Sequence, residues 1–109
     1  MNDWVASDWV ARLTTPAFTY KPSAVEIADV VKVFLVITQA KQAVLTKDID
    51  DATITENGFT WVLTQEETQA LISGRIITVQ VDYLTNGGMR YTTRPKEYTI
   101  TDSAINEVI

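Results

Sequence analysis

Residues 59–83, FTWVLTQEETQALISGRIITVQVDY, constrain the fold more than any other stretch of the chain. Phe59, Trp61 and Leu63 alternate with Thr60 and Val62, the period-two pattern of a strand with one buried face. Thr64 stands where an N-cap belongs, and Glu67, three residues on, is placed to reach back to the Thr64 N–H, so TQEE has the form of a capping box. Glu66 and Glu67 then lie at the positive end of the helix dipole, and Gly74 is placed to stop the helix in the left-handed conformation. From Ile76 the period returns to two, with Ile77, Val79, Val81 and Tyr83 on one face and Thr78, Gln80 and Asp82 on the other. The stretch therefore predicts strand, short helix near residues 65–73, strand.

The remainder of the chain has to fit around that unit in one domain, because 109 residues supply a single modest core. A net charge of −5, with nine basic residues scattered along the chain, gives no stripe for a phosphate backbone, so nucleic acid is not expected as a partner. The chain has no cysteine and no histidine, which removes disulfides, thiolate metal sites and imidazole chemistry. No apolar run has the length of a membrane span, and Asp3 and Asp8 sit where a secretory leader would carry basic residues. A soluble protein that stays where it is made is expected.

In chain order, residues 1–11 carry Trp4, Val5, Trp9 and Val10 at spacings compatible with a helical stripe or an extended arm, and they are read as an N-terminal arm ahead of a single domain over 12–109. Two tryptophans this close to a terminus either cap the domain's own core or sit at an interface, where tryptophan is enriched. Residues 12–21 read as a strand entered through Pro16, with Phe18 and Tyr20 on one face. A long strand is expected over 29–39. Its β-branched residues disfavour a helix, Val31, Val33, Leu35 and Ile37 form one face, and the other, Val30, Phe34 and Val36, is nearly as apolar. Such a strand is either covered on both sides or meets a partner on its outer face. Ala40, Lys41 and Gln42 connect it to a second strand over 43–47.

The acidic run Asp48-Ile49-Asp50-Asp51 invites a calcium reading, but Ala52, Thr53 and Phe59 stand where an EF-hand loop needs a ligand, a glycine and a bidentate glutamate, so a solvated turn is expected. Asn57-Gly58 is a hairpin signal after a short strand at 53–56, and Asn86-Gly87-Gly88 joins a strand over 78–84 to one over 89–94. Pro95 interrupts that strand, and 97–101 resumes it with Tyr98 and Ile100 on one side. The tail ends in Ile105, Val108 and Ile109, an apolar terminus expected to pack as a short turn or against a neighbouring subunit.

Roughly seven short strands, turns about ten residues apart and one helix make up the pattern of an all-β, immunoglobulin-like antiparallel β-sandwich, with the helix as the crossover between its sheets. No constellation here carries chemistry. None of Ser7, Ser23, Ser73 and Ser103 lies in a nucleophile motif, and Glu66 and Glu67, adjacent on a helix, diverge. An enzyme is not expected, and neither is a cofactor or a metal site.

TTPAFTY at 14–20, VKVFLVITQ at 31–39, LTQEETQAL at 63–71 and VQVDY followed by the NGG turn together resemble a family of small phage structural proteins, encoded among tail and baseplate genes of siphophages and prophages of Gram-positive bacteria. Some of these are similar to the N-terminal β-sandwich of upper baseplate proteins. The resemblance spans residues 14–109 and is sharpest over 63–68. The first eleven residues are additional to it, and RYTTRPKEY stands where the family carries a polar, serine-containing segment. It implies a virion protein that assembles with copies of itself and with other tail proteins, without catalytic residues. The candidate interface is Trp4, Trp9, Phe34, Val108 and Ile109. A second reading is an immunoglobulin-like module that binds carbohydrate or protein at a cell surface, with exposed aromatic faces such as Trp4 and Trp9 stacking on sugars.

Overall fold

The computed structural model describes residues 9–23, 25–105 and 107–109, and it is a two-sheet, all-β sandwich. The strands are β1 (Trp9–Ala11), β2 (Ala17–Tyr20), β3 (Val30–Gln39), β4 (Gln42–Lys47), β5 (Thr53–Thr55), β6 (Gly58–Val62), β7 (Ile76–Thr85), β8 (Arg90–Thr92) and β9 (Lys96–Thr101), with helix α1 (Gln65–Gln69) between β6 and β7. The large sheet runs β1-β9-β7-β3-β4, with β8 also paired to β7, and the small sheet runs β2-β6-β5. Strand β9 covers Ile76–Val79 of β7, while β8 covers Asp82–Leu84 of the same strand. Pro95 explains the break, because it has no N–H to give a ladder. Across the gap, the Thr93 N–H donates to the Val81 carbonyl, and the Thr93 hydroxyl accepts the Val81 N–H, each at 3.0 Å.

The core follows from the alternation. Phe59, Trp61 and Leu63 from the small-sheet side meet Leu35, Ile37, Ile77, Val79, Val81, Tyr98 and Ile100 from the large sheet, all essentially removed from water. Phe18 meets Tyr98 edge to face at 5.7 Å between ring centres, an arrangement that the quadrupoles of the two rings favour. Helix α1 is the crossover between the sheets. Its Thr64 hydroxyl accepts the Glu67 N–H at 3.1 Å and the Glu67 carboxylate accepts the Thr64 N–H at 2.8 Å, so the capping box is formed.

Five local readings are corrected. Residues 9–11, assigned to an arm, form β1, and β1 pairs parallel to β9, so the sandwich is antiparallel everywhere except along this edge. The chain leaves β1 for the small sheet before β3 returns to the large one, which lets the first and last strands lie side by side in the same direction. Second, α1 has only five residues and ends before Gly74, whose φ of +78° serves a later turn where its N–H donates to the Ile100 carbonyl.

Third, a register shift between Val30 and Lys32 makes Val31 the extra residue of a bulge. Val30 turns inward and Val31 outward, the reverse of their expected faces. Fourth, Gln42 pairs with Gln39, which leaves a two-residue turn of Ala40 and Lys41, both at positive φ. Fifth, Gly58 pairs with Thr55, so Glu56 and Asn57 are the hairpin turn and Gly58 already belongs to β6.

Candidate interface surfaces

The inward-facing residues of the large sheet fix what its other side must present. Lys32, Phe34, Val36 and Thr38 of β3 alternate with buried Val33, Leu35 and Ile37, and they pair respectively with Leu84, Asp82, Gln80 and Thr78 of β7. No strand or helix of the described residues forms a second layer over this outer face. Toward the β1 edge, Trp9, Thr99 and Ile76 stand in one cross-strand row, with Trp9 54% exposed and Ile76 52% exposed. Toward the opposite end, Phe34 is 37% exposed. It rises between a hollow of about 230 Å³ lined by Lys32, Asp82, Leu84 and Arg90 and one of about 250 Å³ lined by Val31, Asp48 and Ile49. An Arg90–Asp82 ion pair at 3.2 Å borders it, so an aromatic anchor stands among charged groups, as in interface patches with an apolar centre and polar rim.

Trp9 and Phe34 thus share a face without touching. Their rows are six residues apart along β7, about 20 Å at the usual rise of a strand. Threonines 38, 78, 92 and 99 populate the surface between and around them. Trp4 lies outside the described residues.

Val108 and Ile109 are elsewhere, against α1. The Gln65 side-chain amide donates to the Ile109 carbonyl at 2.9 Å and accepts the Ile109 N–H at 2.8 Å, while the Ile109 side chain is left 80% exposed. The tail is therefore held by its backbone and presents its apolar side chains outward. Ile76, Val44 and Val62 are exposed apolar residues that the sequence reading did not single out. Ile76 had a signal, since it precedes an alternating run on the parity opposite to buried Ile77. Val44 had none, because its exposure comes from the register shift where β4 passes Ile37 and Thr38.

The acidic run is consumed internally. Asp48 and Asp51 form a second capping box on the 3-10 turn Ile49–Asp51, with the Asp48 carboxylate accepting the Asp50 N–H and the Asp51 carboxylate accepting the Asp48 N–H. Trp61 ties this turn to the core by donating its indole N–H to the Asp48 carbonyl at 2.9 Å.

Glu67 is a structural carboxylate as well. Burial pushes its pKa up, but bonds from Lys47 and the Thr64 N–H, the Lys47 charge and the Thr64 hydroxyl outweigh that and hold it below the ordinary value. Its ion pair with Lys47, at 2.8 Å, joins α1 to the edge strand β4. Burial pushes the Tyr83 hydroxyl up to about 12, helped by its hydrogen bond to Tyr20 and the neighbouring Tyr91, which marks a core tyrosine.

A further hollow, about 870 Å³, is an open groove between residues 21–23 and 25–28 on one side and the β5–β6 hairpin on the other. Lys21, Glu26 and Glu56 line it beside Val25, Ile27 and Ile54, and no aromatic side chain of the described residues does. Comparison with protein-family models, curated proteins and solved structures finds no match to this chain.

Proposed function

We infer that this chain is a non-enzymatic structural protein that assembles through its sandwich surfaces into an oligomer of a phage tail or baseplate. The observation that carries the reading is the outer face of the large sheet, which directs Trp9, Ile76, Val36, Phe34 and Leu84 away from the core with no layer of the described residues over them. An outward-facing aromatic rimmed by polar and charged groups, as at Phe34, has the anatomy of an interaction site. The resemblance over residues 14–109 supports the virion assignment. The use of Glu67, Asp48 and Asp51 as caps supports a scaffold, because these carboxylates are occupied by backbone N–H groups.

We also read the sandwich as immunoglobulin-like. Support comes from the strand order. With β2 to β7 taken as B, C, C′, D, E and F, and β8 with β9 as a broken G, the small sheet is B-E-D and the large one G-F-C-C′.

The mass of the purified protein in solution, followed by light scattering over a concentration series, tests the assembly reading. A defined oligomer is expected. A monomer at every concentration that binds glycans on an array would replace it with the cell-surface module.

A further inference from the structure

We propose that β1 is an exchangeable strand, seated in the assembled protein against β9 of a second copy of this chain. The proposal rests on the assembly reading and gives it a partner and a mode of contact. Strand β1 is a three-residue edge strand, and residues 12–16 carry the chain from it across to the small sheet. That connection is strained in the closed form. Leu13 sits at a φ of 65°, where the Cβ of an L-residue crowds its own backbone, and the ring of Pro16 restricts Thr15 before it. An extended connection frees Leu13 of the left-handed conformation but carries β1 away from its own sheet.

The β1 seat survives if a neighbour supplies the acceptor. The seat is the same in both copies: the Trp9–Thr99, Val10–Ile100 and Ala11–Thr101 register, the pocket for buried Val10, and the Arg12 guanidinium bridging Asp102 and the Gln69 carbonyl. Exchange of an identical element between protomers keeps the β1–β9 contacts of the closed form, gives up the bond from the Thr14 hydroxyl to the Ala11 carbonyl, and relieves Leu13 of its left-handed conformation, the situation in which swapping is favoured. It also brings the sheet face bearing Trp9 up to the neighbouring copy.

The absence of cysteine makes the test clean. Ala11→Cys and Thr101→Cys, two positions paired in register, are placed on separate chains carrying different tags, co-expressed, and treated with a short thiol-to-thiol crosslinker. Each chain has one thiol, so a covalent pair containing both tags requires β1 of one copy to lie against β9 of the other. The expected result is a mixed-tag pair in the oligomer fraction, at a yield well above that of either variant alone. An oligomer that forms without the mixed-tag crosslink overturns strand exchange and leaves the assembly reading standing. A monomer at every concentration overturns both. Thermal unfolding of each single-cysteine variant, expected close to that of the parent, checks that the buried Ala11 position tolerates the thiol.

Discussion

The side-chain amide of Gln39 makes a two-bond bridge to the backbone of Ile72, donating to its carbonyl at 3.0 Å and accepting its N–H at 2.8 Å. It is a buried polar residue at the end of β3, and it fastens the connection between α1 and β7 with the pair of bonds that a neighbouring strand would otherwise supply. Gln39→Ala leaves both Ile72 groups unpaired next to the core, so a loss of about 2–3 kcal/mol is expected in urea unfolding. Gln39→Glu keeps the acceptor but buries a carboxylate against the Ile72 carbonyl, and should cost at least as much at neutral pH.

Glu67 makes stability depend on acid. Its pKa is lowered in the folded protein from the ordinary 4.5, so its contribution is complete above that value and is lost as pH falls through the lower folded pKa. Glu67→Gln should therefore be less stable than the parent at neutral pH, and the difference should shrink below pH 4.5. Thermal unfolding of both proteins across this range is the check. A difference that stays constant with pH would assign the effect to packing instead of charge.

Gly58 and Gly74 both adopt positive φ, at 116° and 78°, yet their substitution should differ sharply. A Cβ on Gly58 would drive into the Tyr20 carbonyl and lie 2.9 Å from the Lys21 Cα, whereas one on Gly74 meets nothing within 4 Å. Gly74→Ala carries only the conformational cost, about 1 kcal/mol. Gly58→Ala must in addition push β2 off β6, and about 3 kcal/mol or more is expected.

The β3–β4 turn gives the opposite sign. Ala40 and Lys41 hold φ of 54° and 65°, the double left-handed geometry of a two-residue hairpin, without the residues that adopt it readily. Replacing them by Asn and Gly should raise stability by about 1 kcal/mol, read as an increase in Tm with unchanged fold.

These positions show what the sequence makes legible. Phe59, Trp61 and Leu63 announce their strand because burial follows parity, and Thr64 with Glu67 announces the helix because a capping box is local. The faces of Val30 and Val31 were not legible, since one inserted residue breaks the alternation ahead of Val33, Leu35 and Ile37 and leaves no mark of its own. Nor was the turn at Ala40 and Lys41, where the pairing of β3 with β4 overrides local preference.

Strand β1 was missed because its partner, β9, lies at the other end of the chain and three residues carry no period. Of the candidate interface, Phe34 and Trp9 could be found as large apolar residues in or beside strands. That they share a sheet face, and that Val108 and Ile109 do not, depends on topology alone.

The assembly surface proposed for this protein is the outer face of its large sheet. Sedimentation velocity of the parent beside Phe34→Asp, and beside Trp4→Ala combined with Trp9→Ala, tests it most directly. Both variants should sediment as smaller species while keeping a Tm close to that of the parent, since Trp9 and Phe34 contribute little to the buried core. Unchanged assembly in both variants, or a large fall in Tm with assembly intact, would contradict it.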